Sequence, residues 1–335
     1  MKKQKSPRNK TIDFELEEGQ KYLDKCIQYS DDNDLKLDEI INKTIIGDTF
    51  SVLPNMPKQK VDLLIVDPPY NLTKSYHGNK FSKRQSDEYY EYTKSWLSLC
   101  LPLLKEDASI YVCCDWESSL IIGQVLTETV KVQNRITWQR EKGRGAKRNW
   151  KNGMEDIWFA TLCDNYTFNL EDVMIRKKVI APYRDKGKPK DWTETKMGNF
   201  RDTCPSNFWD DITIPFWSMP ENTAHPTQKS EKLIAKIILA SSNPGDLVFD
   251  PFLGSGTTSV VANKLGRQYC GIEQNPLYAA WGQKRIEMAL ADNTIQGLVN
   301  GVFWERNTLT EQQKNEVEVV DSESCESKPT QQTLF

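Results

Sequence analysis

The sequence predicts an α/β fold, a mostly parallel sheet with helices on both faces, and three observations carry the prediction. Short apolar runs rich in branched residues alternate with amphipathic stretches, as expected for parallel strands joined by crossover helices. Two of the runs, Val61–Val66 and Leu247–Phe249, end abruptly in Asp-Pro, at Asp67-Pro68 and Asp250-Pro251. The second then enters a glycine loop, Gly254-Ser255-Gly256, before a helix begins. Strand, glycine loop and helix in that order form the βαβ start of a nucleotide-type site at the carboxyl edge of an open sheet.

Residues 1–38 read as a flexible arm: Met1 to Lys10 holds five basic residues and no acidic one, and the stretch then turns acidic and polar. A short helix is expected within Glu17 to Ser30. Lys43–Ile46 is the first strand and ends in Gly47-Asp48, which puts Asp48 at a strand's carboxyl end. Val61–Val66 follows and stops at Pro68, because proline lacks the N–H a continuing strand would use. Asn71 to Asp87 is a polar loop. Asp87 to Leu104 is an amphipathic helix with Tyr89, Trp96, Leu97 and Leu101 for packing. Ser109–Cys114 is a buried strand, Ser118 to Thr129 a helix, and Val132 to Trp138 and Glu155 to Thr161 are further strands. Residues 39–164 thus form one half of the domain.

Between the last two strands the chain reads WQREKGRGAKRNWK, with six basic residues, one acidic residue, two glycines and two tryptophans. Cations suit phosphates and indoles stack on bases, so Arg140, Lys142, Arg144, Lys147, Arg148 and Lys151 are candidate nucleic-acid contacts. Residues 165–222 lose periodicity and fill with Lys, Arg, Trp, Pro and Gly. Arg176, Lys177, Arg184 and Lys186 make this the candidate recognition region. Residues 223–300 return to α/β order, with a helix over Ser230 to Ser241, the glycine loop, a strand Tyr269–Ile272 closed by Glu273, and a helix Pro276 to Ala291. An acid at the end of the strand after the loop is placed to hold both hydroxyls of a ribose. Residues 301–335 are expected to be a disordered tail; from Glu305 onward they carry seven acidic and three basic residues.

Bulk composition narrows the function classes. A chain of 335 residues, 38% hydrophobic and 10% aromatic, holds one large domain with an insertion. No apolar run approaches the roughly 20 residues of a membrane span, so a soluble, cytoplasmic protein with no membrane partner is expected. Eight cysteines without a CxxC pair and two histidines offer no zinc site, and no metal is expected.

Asp67-Pro68-Pro69-Tyr70 carries the chemistry. A carboxylate and a neighbouring carbonyl can grip an amino group while the tyrosine ring stacks on a flat base. Together with His225-Pro226-Thr227-Gln228-Lys229 and Phe249-Asp250-Pro251-Phe252-Leu253-Gly254-Ser255-Gly256-Thr257-Thr258, in this order, it makes the chain resemble a β-group amino-methylating DNA methyltransferase. The resemblance spans roughly Lys43 to Ala291. It implies the Rossmann-like S-adenosylmethionine-dependent methyltransferase fold with an inserted target-recognition region. Asp rather than Ser at the head of the motif looks like the adenine-N6 enzymes of restriction-modification systems.

By the resemblance, Asp67, Pro68, Pro69 and Tyr70 are catalytic. Asp48, His225, Thr227, Lys229, Asp250, Pro251, Phe252, Gly254, Ser255, Gly256, Thr257 and Glu273 bind S-adenosylmethionine. The usual final proline of the histidine-headed segment is Ser230 here, which also suits a helix N-cap. Double-stranded DNA is the implied partner, with the target base flipped out. A homodimer and a cognate restriction endonuclease would also fit the family. Cytosine-N4 or RNA methylation, a nicotinamide-dependent oxidoreductase and a non-catalytic DNA-binding protein stand as alternatives. The absence of a full GxGxxG fingerprint and the basic aromatic stretch weigh against the oxidoreductase.

Overall fold

The computed structural model describes residues 6–30, 34–71, 74–76, 79–81, 84–140, 148–180, 183–186, 188–195, 198–306 and 308, and among these nine strands form one sheet. In chain order they are β1 (Ile27–Gln28), β2 (Lys43–Ile46), β3 (Val61–Val66), β4 (Leu104–Cys114), β5 (Lys131–Gln139), β6 (Met154–Thr161), β7 (Phe208–Trp209), β8 (Leu247–Asp250) and β9 (Gln268–Glu273). Their spatial order is β1-β2-β9-β8-β3-β4-β6-β5-β7. Only β6 runs antiparallel to both its neighbours, so the expected mostly parallel sheet is present. Strand order reverses beside β3: one neighbour, β4, follows it in the chain, and the other, β8, comes from far downstream. Ligands of open α/β sheets bind outside the carboxyl ends at such a switch point. Both Asp-Pro turns leave the sheet there.

Alternation along β3 decides how the sheet is covered. Leu63 and Ile65 face the helix Glu231–Ser241 through Leu233, Ile234, Ile237 and Ile238, all fully buried. Leu64 and Val66 face the opposite core, with Trp96 and Leu97 of the helix Ser86–Cys100 and Ile122 and Leu126 of the helix Trp116–Thr129. Successive side chains point to opposite faces, so a run apolar at nearly every position needs a core on each side. The helices Thr257–Lys264 and Pro276–Ala291 complete the α/β order of residues 223–300. Ser230 takes the N-cap position of Glu231–Ser241 with extended backbone but makes no side-chain cap bond.

The structure corrects three expectations. The arm 1–38 is sewn into the fold from residue 10 onward. Lys10 N–H donates to the Trp217 carbonyl (2.8 Å), Ile12 bridges Thr223, and the helix Leu16–Leu23 buries Tyr22 and Leu23 against Ala279 and Ala280. Ile27–Gln28 then adds the edge strand. The irregular stretch 165–222 supplies three strands of a second sheet ordered Thr193–Thr195, Gly198–Thr203, Ile175–Lys178, Val302–Trp304 and Leu298–Val299. One of its strands, Val302–Trp304, comes from the expected tail: Phe303 and Trp304 are buried, and their apolar area outweighs the polarity of the residues C-terminal to them. The described chain packs onto the fold past residue 301 as far as Arg306, whose guanidinium donates to the carbonyls of Gln139 (2.8 Å) and Ile212 (2.6 Å). Beyond it only Thr308 lies among the described residues.

Candidate active site

The two Asp-Pro turns open into one cavity of about 340 Å³ at the carboxyl ends of β3 and β8. All four predicted catalytic residues line it, and so does every predicted cofactor residue except Gly256. Gly256 works from behind: its φ is +79°, and a Cβ there would lie 2.8 Å from the Gly282 Cα of the helix Pro276–Ala291. Only glycine meets both conditions, the left-handed backbone and the backbone-to-backbone contact. The glycine loop is thereby clamped to its supporting helix.

On the β3 side the centre is ionic. Lys229 Nζ donates to both oxygens of Asp67, at 2.8 and 2.7 Å, and to Tyr70 Oη at 2.9 Å. Tyr70 in turn donates to Asp67 Oδ1 at 2.8 Å, and the Lys229 ammonium lies 5.2 Å from its ring centroid. Glu155, at the start of β6, closes the group: its Oε2 lies 3.5 Å from Lys229 Nζ and 3.4 Å from Tyr70 Oη, while its Oε1 accepts from Arg140. Burial alone would disfavour the Lys229 ammonium, but the Asp67 and Glu155 carboxylates outweigh it and raise its pKa. Burial, followed by the same two carboxylates, pushes the Tyr70 phenol well above its ordinary range. Tyr70 is therefore a neutral hydrogen-bonding ring at any working pH. Tyr89 Oη donates to the Pro69 carbonyl at 3.2 Å and stiffens the turn.

On the β8 side carboxylates hold backbone. Glu273 accepts from Gly254 N–H and Asn275 N–H, both at 2.7 Å, and burial pushes its pKa up to about 7. Asp250 accepts from Phe252 N–H (3.0 Å) and Thr258 Oγ1 (2.6 Å), and burial takes it to about 7 as well. Asp48 caps the helical turn Thr49–Val52, with Oδ2 accepting from Phe50 and Ser51 N–H; neither bond uses Oδ1. Gly254 has φ +57°, and a Cβ there would meet the His225 ring at 3.4 Å, so ring and loop form one wall. Beneath the loop the buried Arg285 donates to the Ser255 carbonyl (2.8 Å) and to Thr257 Oγ1 (3.0 Å) and pairs with Glu231 at 3.0 Å. Glu273 beside the left-handed Gly254, together with Asp48 and the aromatic Phe252 in the same cavity lining, suits a nucleoside bearing a charged amino-acid tail.

The DNA methylase family model matches residues 61–284, a span that contains both turns and the lysine between them. The chain belongs to the DNA methylase family. It is 34% identical over 255 residues to DNA adenine methyltransferase YhdJ of Escherichia coli (strain K12), covering 74% of this chain and 83% of that protein. To the type II methyltransferase M.HpaI of Haemophilus parainfluenzae it is 32% identical, over 73% and 74% of the two chains. The solved M1.HpyAVI–SAM complex shares the fold at 24% identity and a TM-score of 0.50, over 72% of this chain and 98% of that one. The expected α/β methyltransferase fold and amino-methylating family are thus borne out.

In this DNA methylase the predicted cations separate into two kinds. Arg140, 30% exposed at its side chain, pairs with the buried Glu155 beside the active site. Arg176 is held by Asp202 through two bonds of 2.8 and 2.7 Å and lies over Trp304, a use inside the small sheet. Lys177 lies 3.7 Å from Glu305 and Arg184 3.2 Å from Glu194. Arg148, Lys151 and Lys186 are exposed, as is Trp150 at 92%. Lys142, Arg144 and Lys147 lie outside the described residues. The motif around Lys229 assigns that residue to the cofactor; it lines the cavity, and its ammonium bonds the Asp67 carboxylate. Glu155, Glu231 and Arg285 belong to no motif and are found only in the structure. The acidic pair Glu155-Asp156 opening an otherwise apolar strand is the one available signal, since a carboxylate in a buried strand needs a cation.

Proposed function

We propose that this DNA methylase transfers a methyl group from S-adenosylmethionine to the exocyclic N6 of an adenine flipped out of duplex DNA. The observation that carries the reading is the shared cavity, in which the Asp67 turn and the glycine loop face one another. Asp67 at the head of the catalytic turn, and the likeness to a DNA adenine methyltransferase, favour adenine over cytosine.

Bound S-adenosylmethionine supplies a methyl group already activated on a sulfonium. Glu273 would accept the ribose hydroxyls, Asp48 would meet the adenine, and the loop from Gly254 to Thr257 with His225 and Thr227 would hold the methionine end. The chain's remaining task is the nucleophile. An exocyclic amine is weak because its lone pair is delocalised into the ring. The Asp67 carboxylate and the Pro68 carbonyl accept its two N–H bonds and favour a pyramidal nitrogen, and Tyr70 stacks on the ring. As positive charge grows on that nitrogen, the carboxylate stabilises it.

The likeness to a type II methyltransferase extends the proposal to a cytoplasmic modification enzyme that protects its site from a cognate restriction endonuclease. A homodimer fits the same family. Among the described residues no helix is long and apolar enough to cross a membrane.

The deciding experiment is transfer of labelled methyl from S-adenosylmethionine to mixed-sequence duplex DNA, followed by nucleoside analysis. N6-methyladenine is expected. Label on cytosine N4 would overturn the reading of Asp67, and no label with cofactor bound would overturn the catalytic reading.

A further inference from the structure

We propose that Lys229 guards the Asp67 carboxylate and that Glu155 is the positioning residue that draws it away when the target amine arrives. The inference rests on the amine-methylating reading above and adds a residue outside all three sequence motifs.

The acceptors of Asp67 are nearly filled. A carboxylate offers about four lone-pair positions. Lys229 Nζ takes one on each oxygen, at 2.8 and 2.7 Å, and Tyr70 Oη takes another on Oδ1 at 2.8 Å. The amine of the target base must therefore compete with a resident ammonium for the same oxygens. Charge makes the competition sharper. The amine nitrogen becomes positive during transfer, and a carboxylate neutralised by an ammonium has little net charge to set against it.

Glu155 answers both difficulties. It is a second buried carboxylate, 5% exposed at its side chain, and its Oε2 makes a longer ion pair with Lys229 Nζ, 3.5 Å against 2.7 Å to Asp67. A sub-ångström movement of the ammonium exchanges one carboxylate for the other while Nζ keeps its bond to Tyr70, which lies within reach of both. Lys229 thus stays paired and buried throughout, as a charge in this position must. The other oxygen of Glu155 is held by Arg140, the last described residue before the basic stretch 141–147. A DNA phosphate that attracts Arg140 frees Glu155 to take Lys229. Binding of DNA and exposure of Asp67 are linked through one carboxylate.

A double-mutant cycle tests this, using the full chain, duplex DNA carrying the methylated site and single-turnover transfer. Glu155→Gln is expected to slow transfer by roughly 30-fold, an electrostatic loss at the reacting centre, with cofactor affinity unchanged within about twofold because Glu155 does not line the cavity. In the K229M background the same substitution should change the rate by less than about threefold, because no ammonium remains to be moved. Glu155→Asp, which keeps the charge but withdraws it by one methylene, serves where the glutamine variant fails to fold. It should be slow with Lys229 present and neutral in the K229M background. A wild-type rate in either Glu155 variant overturns the proposal, and so does an equal loss in both backgrounds. The wild-type arm separates the two readings. Absence of N6-methyladenine there refutes the amine-methylating reading, whereas an active wild type with additive variants refutes only the role of Glu155.

Discussion

Removing Asp67 should cost this protein stability as well as activity, and the two losses should be separable. Asp67→Ala deletes both carboxylate oxygens bonded to the Lys229 ammonium, which is 7% exposed and left with the neutral Tyr70 Oη at 2.9 Å and the Glu155 carboxylate at 3.5 Å. Taking one partner from a buried pair costs about 3–5 kcal/mol, and the remaining carboxylate holds the loss to the lower end, about 3 kcal/mol. Each kcal/mol moves the midpoint of a large domain by roughly 2–4 °C, so a fall of about 6–12 °C is expected. Adding Lys229→Met removes the stranded charge and replaces it with an apolar chain of similar length. The double variant should regain most of the lost stability and none of the transfer. Thermal unfolding of the two variants and the wild type, with labelled-methyl transfer on the same samples, measures both quantities. A single variant melting within about 2 °C of wild type, or a double variant melting as low as the single, would refute the buried-pair reasoning.

The cofactor half yields two further outcomes. Gly256→Ala places a Cβ against the Gly282 backbone at a φ of +79°, which costs roughly 1 kcal/mol in conformation alone and displaces the loop. Cofactor affinity by calorimetric titration should fall more than about tenfold while DNA affinity holds, and an unchanged titration sinks the clamp. Glu273 titrates at about 7 in the folded protein against an ordinary value of 4.5, so between these values the native state holds the extra proton. Its contribution to stability is therefore present at low pH and lost as pH rises through about 7, whereas the proposed ribose-accepting role makes cofactor affinity rise over the same window as the carboxylate forms. Glu273→Gln should flatten the affinity profile and reduce the stability slope, leaving the share due to Asp250 and Glu221, which burial also pushes to about 7. A Glu273→Gln profile that still climbs through neutrality would assign the titration elsewhere.

The sheet, its covering helices and both turns are legible in the sequence because their signals are local. Branched runs of four to six residues, the prolines after them and the glycine loop depend on near neighbours alone. The failures share one cause, contact between distant parts of the chain. Residues 10–28 read as a polar arm because Ile12, Phe14, Tyr22 and Leu23 are sparse, and they count only once the helix Pro276–Ala291 stands beneath them. Val302-Phe303-Trp304 is too short to announce a strand; its partner, Ile175–Lys178, lies more than 120 positions earlier in the chain. The motif around Lys229 gives no sign that its side chain reaches an oxygen 162 positions away. Arg140 and Arg176 read as phosphate ligands by charge alone, and the carboxylates they also meet, Glu155 and Asp202, lie 15 and 26 positions further along the chain.

Lys229 also explains how two separately built half-sites stay in register. Its side chain belongs to the Asp67 turn, while its carbonyl accepts from Thr257 Oγ1 at 3.2 Å. Thr257 is itself held by Arg285, which grips the Ser255 carbonyl and is anchored to Glu231, and Glu231 binds Lys264 at 2.8 Å. A continuous line of polar contacts therefore runs from the helices under the glycine loop, through one residue, to the catalytic carboxylate. Methyl transfer needs the reacting atoms within about 3–3.5 Å, and misplacement by 1 Å costs on the order of 100-fold in rate. β3 and β8 are adjacent strands, but the turns that leave them are loops and do not inherit the sheet's rigidity. A single lysine that grips the cofactor loop with its backbone and the catalytic turn with its ammonium supplies that rigidity where the sheet cannot.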